Sequence, residues 1–109
     1  PRERLRELAA IAYDRGHSTA GTARQLVAIL TAPSRVRWLR AVQVPTLVVH
    51  GGADPLVPPR AGRAVAVAVP GARYVEFAGM GHDLPRELWP EIVDHIAANA
   101  RRATASAAA

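Results

Sequence analysis

Two short apolar runs separated by one helix-length segment constrain the fold of this chain more than any other feature. Thr46–His50 is a continuous apolar, β-branched run, and Arg73–Phe77 alternates between apolar and polar residues, so both are predicted to be strands. Between them, Ala64–Val69 also alternates like a strand, but Pro59 suits the first turn of a helix and Pro70-Gly71 suits a stop, so we predict a helix over Arg60–Val69. The order strand, helix, strand predicts an α/β fold with parallel strands joined by a right-handed crossover.

Helices are predicted on both sides of this unit. Helical spacing of apolar residues indicates a helix over residues 2–15 and a second one that begins at Ser18 or Thr19, either of which could cap it. A third, short helix is predicted over Arg35–Ala41, capped by Ser34, with Val36 and Leu39 facing inward and Trp38 as a further candidate for that face. The apolar face of a final helix is predicted to consist of Leu88, Trp89, Ile92, Val93, Ile96 and Ala97.

Composition narrows the functional classes. Half of the 109 residues are apolar and 21% are charged, which is typical of a globular domain. The absence of cysteine excludes disulfides, a thiolate nucleophile and cysteine metal sites. The net charge of +5 comes from arginines scattered along the sequence, which favours a solvated surface over nucleic-acid binding.

Targeting and cofactor signals are missing from the sequence. No apolar run approaches the roughly 18 residues of a membrane span, and no signal peptide is recognisable at the N-terminus, so we expect a cytoplasmic protein. No histidine or carboxylate cluster has metal-ligand spacing, and we expect neither a metal nor a cofactor. Pro1 stands where an initiator methionine is usual, which suggests either a start inside a longer gene or trimming.

One acidic residue and one histidine follow the two predicted strands. Asp54 lies in the loop after the first strand and His82 in the loop after the second. Open α/β sheets bind ligands at the carboxyl ends of their strands, and neighbouring strands are only about 4.8 Å apart. We therefore expect the two side chains to meet, and a carboxylate beside an imidazole can orient a catalytic base. Gly79 and Gly81 are expected to give the backbone the freedom to turn His82 toward the crevice.

These two loops carry a family resemblance. Residues 44–58, Val-Pro-Thr-Leu-Val-Val-His-Gly-Gly-Ala-Asp-Pro-Leu-Val-Pro, resemble the late strand and acid loop of α/β-hydrolases, and residues 79–82, Gly-Met-Gly-His, resemble their histidine loop. The resemblance implies that residues 42–109 are the C-terminal part of an α/β-hydrolase core, with the last two parallel strands of its sheet. The helical segment 1–41 looks like the end of an α-helical cap domain.

The resemblance also implies functional roles. Asp54 would be the acid of a catalytic triad and His82 its general base, in an enzyme that hydrolyses esters or related acyl bonds of a small, apolar substrate by a serine mechanism. The residues expected to line a substrate pocket are Leu56, Val57, Met80 and Trp38, most of which flank the triad loops. Packing in the core is the alternative role for each of them. Alternatives are a dehalogenase, haloperoxidase or C–C hydrolase of the same fold, or a non-catalytic remnant or interaction module.

The nucleophile of such a triad is hard to place in this sequence. The family carries it before the acid, in a strand–turn–helix elbow that commonly reads G-x-S-x-G. Gly16-His17-Ser18-Thr19-Ala20 has a similar spacing, but no apolar strand precedes it, so we predict that Ser18 caps a helix. Ser34 and Ser106 have no elbow context. We therefore expect the nucleophile to lie outside this sequence, the 109-residue chain to be inactive, and the strand at 46–50 to have an unpaired edge.

The remaining histidines are predicted to be structural. His50 at the end of the first strand is expected to be packed or hydrogen-bonded, and His17 to lie in a turn. His95 is four residues after Glu91, which predicts a surface pair on the last helix.

Overall fold

The computed structural model describes residues 2–16 and 18–107, and its contacts divide the chain into two units, Pro1–Ser34 and Arg35–Ala109. The first unit contains helix α1, Arg2–Asp14, and helix α2, Thr19–Thr31, where the apolar spacing predicts them. None of the described residues of this unit is buried. These two amphipathic helices therefore have no hydrophobic core of their own.

The second unit contains the predicted strand–helix–strand arrangement. Its elements, in chain order, are helix α3 (Val36–Leu39), strand β1 (Leu47–Gly51), helix α4 (Pro59–Ala68), strand β2 (Arg73–Phe77), a 3₁₀ turn (Arg86–Leu88) and helix α5 (Trp89–Ala107). The ambiguous segment between the strands is a helix, because Pro59 fits the first helical position and Gly71, with φ 69°, turns the chain back.

The two strands pair in parallel, as predicted, with Leu47 opposite Arg73 and Gly51 opposite Phe77. Successive side chains of a strand point to opposite faces, so the sheet separates two helices. On one face α4 packs against His50, and on the other α5 brings Ile92 into the core. That core consists of Phe77, Met80 and Ile92, with Val49, Val75 and Leu88 packed against it. The result is an α/β fold whose two strands end beside each other.

Burial of β1 is lower than predicted. A continuous apolar strand suits a position buried on both faces. Residues 47–50 are only half-buried, and Gly51 is the one buried residue of the strand. The reason is that β2 is the only strand beside β1 in the described residues, so the other edge of β1 has no neighbour there.

Helix α3 differs from the prediction in three respects. It covers one turn rather than Arg35–Ala41, and its N-cap is Arg35, with no side-chain capping bond from Ser34. Trp38 faces outward, 63% exposed, with the Arg37 guanidinium 4.6 Å from its ring centre. Because α3 packs against α4, it belongs to the second unit, Arg35–Ala109.

The buried face of α5 is also rotated from the predicted one. Ile92 is buried, but Trp89, Val93 and Ile96 are 48%, 58% and 54% exposed. The inward face instead follows the series Leu88, Ile92, His95 and Asn99. Asn99 fixes this rotation because its Nδ2 donates to the Pro45 carbonyl at 3.0 Å, a polar contact that apolar spacing does not reveal.

Candidate active site

Asp54 is held by its own loop. Its side chain is only 5% exposed. Oδ1 accepts hydrogen bonds from the backbone N–H groups of Leu56 at 2.8 Å and Val57 at 2.9 Å, a turn that aspartate forms readily because its side chain is short. These bonds fix the plane of the carboxylate and leave Oδ2 to face away from the loop backbone.

The same contacts keep Asp54 ionised. The hydrogen bond from Val57 N–H lowers the pKa of Asp54 most, and burial opposes it. The hydrogen bond from His82, the N–H of Leu56 and the charge of His82 lower the pKa further, so that it falls from 3.8 to about 2. Asp54 is therefore a carboxylate throughout the neutral pH range.

The loop that holds Asp54 (residues 52–58, the acid loop) and the loop that holds His82 (residues 78–85, the histidine loop) are hydrogen-bonded to each other at the carboxyl ends of the strands. Ala53 N–H donates to the Met80 carbonyl at 3.0 Å, and Gly52 N–H donates to the Phe77 carbonyl at 2.8 Å. A side chain on Gly51 would collide with the carbonyl oxygens of Met80 and Gly81. Glycine is thus required at the end of β1, because only a residue without a side chain lets the backbone of the histidine loop lie directly against it.

Because the two loops lie against each other, the side chains of Asp54 and His82 meet. His82 Nδ1 lies 2.8 Å from Asp54 Oδ2, and because a carboxylate only accepts, Nδ1 carries the hydrogen. The His82 side chain is 56% exposed, and its Nε2 has no hydrogen bond within the described chain. The prediction that these side chains meet across neighbouring parallel strands is confirmed. Neither Gly79 nor Gly81 has a positive φ.

A cavity of about 190 Å³ opens beside the pair. Of the predicted substrate-binding residues, Val57 and Met80 line it, whereas Leu56, 72% exposed, and Trp38 do not. The remaining lining residues are Val49, His50, Gly51, Asp54, Gly81, His82, Asp83 and Leu84. Val49, Asp83 and Leu84 were not predicted to line the site. Val49 lies near the end of β1, and Asp83 and Leu84 directly follow His82, so their positions at the carboxyl ends of the strands could have indicated them.

The other histidines have structural contacts. His50 Nε2 lies 3.0 Å from the Val57 carbonyl oxygen, and the ring is packed on Gly62 of α4, as expected for a packed residue. His95 is 4.0 Å from Glu91, the predicted pair, and meets Phe77 edge-on with 6.3 Å between ring centres. His17 lies outside the described residues.

Ser18 has the capping role that the sequence predicts. Its Oγ accepts a hydrogen bond from Gly21 N–H at 3.1 Å at the start of α2. Helix α1 and a turn precede it, and none of the described residues before it forms a strand. The local structure is therefore a helix–turn–helix connection, whereas a nucleophile elbow requires a strand before the serine.

Neither a metal site nor a membrane-spanning helix is found in the part of the chain that the structure describes. Residues 2–16 and 18–107 contain no group of three or more potential metal-binding side chains close enough to hold an ion. Within the same residues, no helix combines the length and apolar character needed to cross a membrane.

Comparison with known proteins identifies the family. Residues 3–88 match the serine aminopeptidase S33 family. The chain is 39% identical over 71 residues to rhodomycin D methylesterase DnrP of Streptomyces peucetius, and 38% identical over 71 residues to rhodomycin D methylesterase DauP of Streptomyces sp. (strain C5). Each match covers 65% of this chain but 24% of the relative, so the chain spans about a quarter of the length of these esterases. The chain therefore belongs to the serine aminopeptidase S33 family, within the α/β-hydrolase superfamily.

Proposed function

We propose that Asp54 and His82 are the acid and the general base of a serine hydrolase that cleaves esters. The observation that carries the proposal is the 2.8 Å hydrogen bond between them, at the carboxyl ends of adjacent parallel strands and beside an open cavity. An ionised acid, an oriented imidazole and an accessible Nε2 are the parts that activate a serine hydroxyl.

In the proposed mechanism, His82 carries a proton between the nucleophile and the leaving group. His82 Nε2 takes the proton from a serine Oγ as the oxygen attacks the ester carbonyl, and later donates it to the departing alcohol oxygen. Asp54 stays ionised, keeps the hydrogen on Nδ1 and stabilises the imidazolium that forms between the two transfers. A water molecule then repeats the sequence on the acyl-enzyme, releasing the acid and restoring the serine.

Two observations favour an ester of a small apolar molecule. The family is named for aminopeptidases, which cleave amides, but both of the relatives named above are methylesterases, and this favours an ester. The cavity beside His82 has an apolar part formed by Val49, Val57, Met80 and Leu84. Apolar walls with a few fixed polar groups are typical of sites for small organic ligands.

We further propose that the nucleophile is supplied from outside these 109 residues and that the isolated chain is inactive. Ser18 is engaged as a helix cap, and Ser34 precedes the one-turn helix α3 in an exposed segment. The first test is to treat the purified chain with a fluorophosphonate probe and locate any label by mass spectrometry. We expect no labelled serine, and covalent modification of Ser18 would overturn this part of the proposal.

The second test restores the missing part. The chain is extended with the residues encoded upstream of residue 1 and assayed on methyl and p-nitrophenyl esters. We expect hydrolysis and labelling of a serine in the added region. An extended protein that hydrolyses esters without fluorophosphonate labelling would contradict the serine mechanism.

His82→Ala in the extended protein tests the general base. Removal of the base is expected to lower kcat by about 100- to 10,000-fold. His95→Ala is the matched control, because His95 pairs with Glu91 on α5 and does not line the cavity. Equal activity of the two variants would remove His82 from the mechanism.

A further inference from the structure

We propose that His50 is a positioning residue, which holds the acid loop around Asp54 and thereby keeps the Asp54–His82 hydrogen bond in place. Its catalytic meaning rests on the function proposed above, since the pair it supports is the acid and base of that reaction. The geometric claim itself concerns only the described residues of the second unit.

The first step is the hydrogen bond from His50 to the loop. His50 Nε2 lies 3.0 Å from the carbonyl oxygen of Val57, and a carbonyl only accepts, so Nε2 carries the hydrogen. The N–H of the same Val57 donates to Asp54 Oδ1 at 2.9 Å. Val57 is thus held on both sides, by the carboxylate through its N–H and by His50 through its carbonyl.

The second step is the confinement of the ring. The His50 side chain is only 10% exposed, and a Cβ on Gly62 of α4 would come within 2.5 Å of its Nδ1. The ring is therefore packed between the acid loop and the buried Gly62 of a helix, and has little room to turn away from Val57. Its Nε2 is also 3.9 Å from Asp54 Oδ2, the oxygen that binds His82.

Loss of His50 is expected to disturb Asp54, because both residues are hydrogen-bonded to Val57. Without His50, the Val57 carbonyl loses its donor and the peptide groups on either side of Val57 can rotate. The Val57 N–H then leaves Asp54 Oδ1, and the carboxylate is no longer fixed in the plane that presents Oδ2 to His82. His50 therefore acts on the base through the acid loop, without touching a reacting atom.

The wild-type chain tests the geometry directly. Long-range ¹H–¹⁵N spectra of the imidazoles, recorded where the rings are neutral and the chain is monomeric, report which nitrogen carries hydrogen. We expect opposite tautomers at the two sites, with hydrogen on Nδ1 of His82 and on Nε2 of His50. Hydrogen on Nδ1 of His50 would overturn the proposal without any substitution.

Substitutions at position 50 test the coupling. His50→Phe keeps an aromatic ring without a donor, and we expect solvent exchange of the His82 Nδ1 hydrogen to accelerate about tenfold. His50→Gln retains an N–H that can reach the Val57 carbonyl and should restore slow exchange. His95→Phe is the control and should leave the exchange rate unchanged. An unaltered rate in His50→Phe contradicts the coupling.

Gly62→Ala tests whether the packing of the His50 ring on helix α4 affects His82. Its methyl group must displace the His50 ring, so it should accelerate exchange at His82 as His50→Phe does. Gly79→Ala is the matched control, because Gly79 has no positive φ and nothing lies within 4 Å of an added Cβ. Backbone amide spectra verify that each variant is folded. If both test variants fail to fold, the wild-type tautomer of His50 decides the matter.

These readouts separate the two proposals. The NMR measurements need no substrate and no nucleophile, so a negative result removes the role of His50 while ester hydrolysis by the extended protein can still be observed. Conversely, an extended protein without esterase activity leaves the tautomers and the exchange rates of the 109-residue chain as they were measured.

Discussion

Asp54 divides its two carboxylate oxygens between different partners. Oδ1 is bound by two backbone N–H groups of its own loop, and Oδ2 receives the hydrogen of His82 Nδ1. A local turn therefore fixes the direction in which the acid faces. Two consequences can be tested by substitution of this single residue.

Asp54→Asn should preserve the shape of the loop and reverse the tautomer of His82. The two N–H groups require an acceptor, so the amide oxygen takes the place of Oδ1 and the NH₂ group faces His82. His82 Nδ1 must then accept, its hydrogen moves to Nε2, and the base is lost. We expect kcat/KM of the extended protein to fall about 10⁴-fold. Asp94→Asn is the control, because Asp94 lies on α5 and does not line the cavity, and comparable activity of the two variants would count against the assigned acid.

Acid pH should weaken the fold through Asp54. Because the pKa of Asp54 is about 2 in the folded chain and 3.8 as the ordinary value, the unfolded chain binds more protons between these values. The stabilisation is fully present above about pH 5 and is lost as the pH falls through 3.8 toward 2. Urea unfolding of the 109-residue chain between neutral pH and pH 2 measures it.

Substitution of Asp54 assigns this pH dependence to one group. Asp54→Asn should reduce the loss of unfolding free energy on acidification. An Asp54→Asn variant with an undiminished acid dependence would show that other carboxylates account for the effect, among them Glu76, whose pKa is lowered by the hydrogen bond from Tyr74.

At the scale of elements, α5 is joined to the sheet by polar contacts at the end opposite the candidate site. Asn99 Nδ2 donates to the Pro45 carbonyl just before β1 at 3.0 Å. Arg102 donates to Asn99 Oδ1 at 3.0 Å and to the Gly71 carbonyl, in the turn before β2, at 2.8 Å. These bonds connect the helix to the segments that lead into both strands, and so they set the rotation of its apolar face.

Asn99→Ala should destabilise the chain by about 1–2 kcal/mol, because it removes a partly buried hydrogen bond and leaves the Pro45 carbonyl without this donor. Chemical denaturation with a global fit of the transition measures the change. Arg101→Ala is a suitable control, since Arg101 is exposed and lies on the same helix. A difference below about 0.5 kcal/mol between the two variants would mean that the contact contributes little.

At the scale of the whole molecule, the sheet of the described chain has two strands, and one edge of β1 is without a strand partner there. Two-stranded sheets are marginal and exposed edges pair readily with other chains. Trp89, Val93 and Ile96 on α5 add exposed apolar surface in the same unit. The described chain therefore exposes one edge of β1 and an apolar part of α5, and a larger sheet with its helices would cover both.

We expect the 109-residue chain to associate as its concentration rises, and the extended protein to associate less because added strands would pair with β1. Light scattering and sedimentation over a concentration series compare the two proteins. A chain that stays monomeric at every concentration at which the extended protein does would contradict the prediction and show that the edge is protected in another way.

Much of the fold could be predicted from local patterns. The bounds of β2 and α4 follow from alternation and from the prolines around them, and the capping role of Ser18 follows from its position before an apolar helix. The pairing of Asp54 with His82 also follows, because parallel strands place their following loops at one edge of a sheet. These features depend on steric preferences and chain connectivity within short segments.

Other features depended on contacts between distant segments. The outward position of Trp38, the rotation of α5 and the limited burial of β1 depend on which surfaces meet, and no local spacing contains that information. The same is true of His50, whose ring nitrogen meets Val57 only because Gly62 of α4 leaves room for it. Local patterns predict the two strands, the four longer helices of the described residues and the order of acid and histidine, because steric preferences and chain connectivity act within short segments. Contacts between distant segments decide which side chains line the cavity and how the acid loop is held.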